Sequence, residues 1–332
     1  MISIRDVAKI AGVSPATVSR VMNGTANVNE EKKQRVLQVV KETGFQPNEA
    51  ARILYKKSAR IISMILPNID NPFFNEMVRA IEFEAYKHDY RLTLCISDND
   101  VEKEIHNIDM LTRMNADGII LLTNGIELFQ RIDKIDIPIV MIDRELSNLP
   151  DVIHVESDHY NGGRLSAEYL IQCGCKNIVN LRGPQVLSSG RKRFEGYLDV
   201  CQEHQIIPQY VDCKYSYEEG LEQAEVLLER FPNVDGIIAA NDMVALSVYK
   251  VLTKHGKRVP EDVQLIGFDN IELSHIMTPE LTTIEQPIEE LGRQAVLSLI
   301  DRIENKTTQM SHTFPVSLIP RQTTKNSSDH VS

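Results

Sequence analysis

A small helical cap joined to a larger α/β body, its parallel sheets doubly wound and divided between two lobes, is the architecture this 332-residue sequence predicts. Three observations carry it. The opening forty-odd residues read as three short helices punctuated by turn residues. From Ile61 onward, short β-rich apolar runs alternate with amphipathic helical stretches, which is the pattern of parallel strands covered by helices. A break near Ser157 to Gly163 separates the runs into two similar sets, hence two lobes.

The first helix takes Ile4, Val7, Ala8 and Ala11 as its apolar face and stops at Gly12, which is free to adopt the backbone of a tight turn. Ser14 caps a second helix, Pro15 suits its first position, Val18 and Val21 give its apolar side, and Asn23-Gly24 ends it. Asn29 caps a third, with Glu30 and Glu31 at its positive end and Val36, Val39 and Val40 on its buried side. Two short helices about a glycine-containing turn form a helix-turn-helix. A helical bundle for protein contacts would share this core. The outer face of the second helix favours DNA instead, because Pro15, Ala16, Thr17, Ser19 and Arg20 are short or basic, as entry into a major groove requires.

Charge supports that division. Residues 1–60 hold eleven Lys and Arg against five Asp and Glu, an excess of six positive charges, while the rest of the chain holds 25 against 42, an excess of 17 negative. A basic head on an acidic body suits a polyanion partner for the head alone.

In the body, "IISMIL", "RLTLCIS", "GIILL", "IVMID", "NIVNL", "GIIAA" and "QLIGF" are the expected strands. The strongest apolar run, Ile61 to Leu66, ends at Pro67 and is too short to span a bilayer, and no basic-then-apolar leader opens the chain, so the expected setting is cytoplasmic with no membrane partner. Five cysteines, an odd number, are expected reduced and structural, and Cys173 and Cys175 lack a second Cys/His pair at metal-binding spacing. G-x-G-x-x-G after a strand, the Walker loop, H-E-x-x-H and G-x-S-x-G are all missing, which argues against an enzyme; no catalytic residue, metal or cofactor is expected. An exported binding protein would not carry the basic head.

The pattern "IRDVAKIAGVSPATVSRVMNG", continued by "QPN" and "AR.L", closely resembles the headpiece of the lactose and galactose repressor family of bacterial transcription regulators. The resemblance implies that Pro15, Ala16 and Arg20 face bases while Thr17, Ser19 and Asn23 contact phosphates. It further implies that 47–58 is a hinge which becomes helical on DNA, with Leu54 wedged into a minor-groove step; Ile53 and Tyr55 depart from the smaller or polar residues usual there. The implied body is periplasmic-binding-protein-like and crossed by the chain three times, a late helix at Ile288 to Glu304 returning to the first lobe. The expected domains are a headpiece at 1–46, a hinge at 47–58, a sugar-binding and dimerisation core at 59–322, and a flexible tail at 323–332. Within the core, lobe one takes about 59–158 and 288–318, and lobe two about 159–287.

Ligands of open α/β sheets bind beyond the carboxyl ends of the strands. There the sequence places Asn71, Phe73, Phe74, Asn99, Asp143 and Arg144, then Arg193, Tyr215, Asn241, Asp269 and Gln286. Singly, each has an ordinary role as cap, turn or core. Together, carboxylates, carboxamides, arginines and aromatic rings suit a polyhydroxylated ring. By resemblance the set matches the sugar contacts of ribose-binding members, with Tyr215 where phenylalanine is usual. Sucrose and fructose repressors share much of it, and a catabolite-control type regulator stands further off. The implied partners are operator DNA, a small sugar effector, ribose first, and a second copy of the chain in a homodimer.

Overall fold

The computed structural model describes residues 2–23, 28–45, 58–123, 132, 135–144 and 151–325. Two compact units divide the chain between Ala59 and Arg60.

The first unit holds α1 (Ile4–Ala11), α2 (Pro15–Asn23) and α3 (Glu30–Thr43). Ser3 and Asp6 cap α1 reciprocally: Asp6 N–H donates to Ser3 Oγ at 3.3 Å, and Ser3 N–H donates to Asp6 Oδ2 at 2.9 Å. This satisfies donors that a helix start otherwise leaves unpaired. Gly12 ends α1 at φ +66°, where any side chain would be strained. Thr17 N–H donates to Ser14 Oγ at 3.2 Å, and Glu31 N–H to Asn29 Oδ1 at 2.9 Å, so both expected caps form. Val7, Ala8, Ala11, Val18, Val36, Val39 and Phe45 close the core. Ile4, expected inside, is 37% exposed because it stands at the open first position of α1.

The second unit contains twelve strands among the described residues. They are β1 (Ile61–Leu66), β2 (Arg91–Ile96), β3 (Gly118–Leu121), β4 (Ile139–Ile142), β5 (Ile153–Ser157), β6 (Ile178–Arg182), β7 (Gln209–Asp212), β8 (Gly236–Ile238), β9 (Gln264–Asp269), β10 (Thr282–Glu285), β11 (Ser311–Phe314) and β12 (Ser317–Ile319). The helices are α4 (Pro72–Lys87), α5 (Val101–Arg113), α6 (His159–Gln172), α7 (Ser188–Glu203), α8 (Tyr217–Arg230), α9 (Asp242–Lys254), α10 (Leu273–Ile276) and α11 (Ile288–Ile303). One sheet runs β11-β5-β4-β3-β1-β2 and the other β12-β10-β9-β8-β6-β7. All pairs are parallel except β10 with β12.

Leu291, Ala295, Val296 and Leu299 of α11 join the core of the first sheet, so the late helix does return to lobe one. The chain then supplies β11 to the first sheet and β12 to the second, completing three passages between lobes. Two boundaries need correction. Lobe one does not extend to 318, because β12 at Ser317–Ile319 pairs with β10 of lobe two. Nor is 323–325 part of a flexible tail. Thr323 Oγ1 donates to Leu265 O at 2.7 Å and accepts from Thr282 N–H at 2.8 Å, and Lys325 N–H donates to Gln264 Oε1 at 2.8 Å. These polar residues, read from composition as solvated, supply hydrogen bonds to the starting ends of the interior strands β9 and β10. Residues 326–332 and most of the hinge at 47–58 lie outside the described residues.

Candidate functional site

The strands of the two sheets end at a shared cleft, and the loops that follow them line it. Asn71, Phe73, Phe74, Asp143, Arg144, Arg193, Tyr215, Asn241, Asp269 and Gln286 surround one cavity of about 290 Å³, its mouth included. Ten of the eleven residues expected to touch a sugar are thus brought together. Asn99 is not: it is exposed in the turn after β2, at φ +60°.

Several lining groups serve two ends at once. Asn71 Oδ1 accepts from Phe73 N–H at 3.0 Å, and Asn241 Oδ1 from Val244 N–H at 2.9 Å. With each oxygen spent on capping a helix, the amide NH2 is the end turned to donate, and that of Asn241 also reaches Tyr215 O at 3.5 Å with one of its two hydrogens. The Phe73 and Phe74 rings meet edge to face at 5.5 Å and belong to the lobe-one core as well as to the cavity wall. Asp143 and Asp269 occupy φ +66° and +117°; backbone of this kind costs about 1–3 kcal/mol and tends to persist where function needs it.

The electrostatics move two buried carboxyls in opposite directions. Burial pushes the Asp143 carboxyl up, but His159, Arg144 and Arg193 more than reverse this and leave it below the ordinary carboxylate range. Asp269 goes the other way. Burial, aided by the nearby Asp242 carboxyl, raises it well above that range against the pull of Arg193 and the hydrogen bond from Gln286 Nε2 at 2.7 Å. Arg144 is buried and donates to Thr123 O at 2.7 Å. Arg193 donates from Nη1 to Ala240 O at 2.9 Å, and its guanidinium carbon lies 3.5 Å from the centroid of the Phe268 ring. Asp143 and Asp269 thus offer carboxyl oxygens, Asp269 already engaged by Gln286, and both arginines are held in place. That suits hydroxyl groups arrayed around a ring.

The sequence reading missed His159 and Glu104, which stand behind this surface together with Asp242. His159 is fully buried between Asp143, whose Oδ1 is 3.0 Å from Nε2, and Arg193, whose Nε donates to Nδ1 at 3.2 Å. Asp242 accepts from Thr283 Oγ1 at 2.6 Å and from Ile271 N–H at 2.9 Å. Glu104 accepts from Ser97 and Thr123 behind Arg144. His159 follows β5 directly, so recognising "IHVES" as a strand would have exposed it to the strand-end rule.

In the first unit, Pro15, Ala16 and Arg20 are exposed along α2 while Val18 on its other side is fully buried. Thr17 and Ser19 are half-buried at the edge of that outer face. Asn23 is the last residue of α2, its side chain lying outside the described residues, as does Leu54. No helix among the described residues is long and apolar enough to cross a membrane.

Comparison with known proteins agrees with both units. A ribose operon repressor of Halalkalibacterium halodurans is 39% identical over 327 residues, covering 98% of each chain. A sucrose operon repressor of Pediococcus pentosaceus is 36% identical over 322 residues, covering 95% of this chain and 97% of its own. Among solved structures, the lac repressor dimer bound to operator and the anti-inducer ONPF superposes with a TM-score of 0.89 at 26% identity, covering 97% of this chain and 98% of that one. Residues 59–326 match the family described as periplasmic binding proteins and sugar binding domain of LacI family. Since residues 3–48 also match the bacterial regulatory proteins of the lacI family, the chain belongs to that family of transcription regulators.

Proposed function

We propose that the chain is the cytoplasmic repressor of a ribose-utilisation operon, acting as a homodimer on a pseudo-palindromic operator and released from it by ribose. The observation that carries this reading is the convergence of ten polar and aromatic residues on one cavity. The ribose operon repressor already compared supports the same effector. On the DNA side, Arg20 reads a base, Pro15 and Ala16 add apolar contacts, Thr17, Ser19 and Asn23 fix the register on phosphates, and Leu54 enters the minor groove. Two symmetric headpieces match two half-sites.

Switching follows from preference for one state. To move a population from about 1:99 to 99:1, ribose must favour the released state by about 10⁴-fold, or roughly 5.5 kcal/mol. Calorimetry of the full chain with D-ribose, D-fructose and sucrose tests the effector. The reading predicts saturable binding of ribose that is tighter than that of either rival; tighter binding of fructose or sucrose, or none of ribose, overturns it.

A further inference from the structure

His159 does not line the cavity, yet it joins two residues that do. It opens α6, and its ring sits between Asp143 at the end of β4 in lobe one and Arg193 on α7 in lobe two. Arg193 Nε is obligatorily a donor, so Nδ1 accepts and the ring hydrogen belongs on Nε2, which faces Asp143. A neutral imidazole in this tautomer accepts from the guanidinium on one side and turns its N–H toward the carboxylate on the other. Asp143 Oδ1 and His159 Nε2, although 3.0 Å apart, are not aligned as a full hydrogen bond, and both atoms are buried. Asp143 Oδ1 therefore keeps accepting capacity beside the cavity.

The surroundings hold this bridge in place. The His159 ring packs against Phe268 at 6.0 Å, and the Arg193 guanidinium covers the same Phe268 ring. Helices α6 and α7 approach so closely that a Cβ on Gly163 would lie 1.9 Å from Arg193 O. The residue next to Arg193, Lys192, reaches Glu156 of β5 at 2.7 and 3.0 Å, a second link from α7 to the first sheet. The charged groups acting on His159 are Asp143, Arg193 and Glu156; burial, joined by the Arg193 charge, outweighs the two carboxylates and holds its pKa below the ordinary imidazole value.

We propose that His159 is a positioning residue for the effector, clamping Asp143 of one lobe against Arg193 of the other so that both are presented to the same sugar only when the lobes are closed. This rests on the reading of the cleft as a sugar site. Two substitutions separate it from a packing role: His159→Gln keeps one acceptor and one donor, whereas His159→Phe keeps the ring and its contact with Phe268 but no nitrogen. With thermal unfolding to confirm that each full-length variant folds, calorimetry with D-ribose should find Gln within about threefold of the natural chain and Phe weaker by about tenfold or more. The reverse order, Phe tolerated and Gln not, overturns the proposal.

A second arm needs no sugar. Among the nine histidines, nitrogen-15 NMR should find one ring, missing in His159→Gln, that stays in the neutral Nε2–H tautomer from pH 8 to pH 5. A cationic ring at pH 6, or an Nδ1–H tautomer, overturns the clamp. If the natural chain bound no ribose, the effector reading would fall while the tautomer still decided the role of His159.

Discussion

Arg20 and Asp242 show how one side chain at a time sets what each unit does. Arg20 stands exposed on the face of α2 opposite buried Val18, where a guanidinium can pair bidentately with guanine. Arg20→Ala should weaken binding to the preferred site by about 1–3 kcal/mol and relax base preference at one position. Fluorescence anisotropy on a matched set of duplexes reads this; an unchanged preference would assign the contact elsewhere. Asp242 is a buried acid in lobe two, and burial outweighs its hydrogen bonds from Thr283 and Ile271 to push its pKa up to about 7. The folded state then holds a proton that an unfolded aspartate, with a pKa near about 3.9, releases earlier. The stability this contributes is complete below pH about 4 and is lost as pH rises through about 7. Urea midpoints should fall between pH 5 and pH 8, and Asp242→Asn should flatten that slope; parallel slopes would exclude Asp242 as the source.

Among elements, α6 and α7 are the pair on which the cleft depends. Glycine in a helix ordinarily costs up to about 1 kcal/mol relative to alanine, so Gly163→Ala would stabilise a free-standing α6. Here the added methyl meets the Arg193 carbonyl, and overpacking of this kind costs about 1–3 kcal/mol. Urea unfolding should register a loss; an unchanged or raised midpoint would mean that the helices are free to part. The same elements show what the sequence made legible. Buried strands such as β1, β3 and β4 are continuous apolar runs and were readable. By contrast β5, β7, β10, β11 and β12 are three to five residues long and carry Gln, Asp, His, Glu, Thr or Ser, so they lack the signature. Missing β5 concealed His159, and missing β10 concealed Thr283, the partner of Asp242. Thr323 and Thr324 escape the sequence for a related reason: composition cannot reveal that a hydroxyl pairs with the starting ends of β9 and β10. The cavity residues were legible because most of them follow strands that were recognised. Asn99 met that rule too, yet its turn leaves it in solvent.

At the scale of the whole molecule, a basic headpiece and an acidic two-lobed body divide recognition of DNA from recognition of a small ligand. Three passages of the chain between the lobes tie their relative position to whatever occupies the cleft. Ile271 of lobe two, fully buried in the lobe-one cluster, shows the lobes in contact at the cleft's edge. The account's central claim is that a sugar held in the body governs the grip of the head. Its most direct test is anisotropy of the full-length chain on a duplex that the protein itself selects from a random pool, at physiological salt, titrated with D-ribose. The account predicts tight, sequence-selective binding that ribose weakens at least about tenfold; weak, sequence-blind binding that ribose leaves unchanged would contradict it.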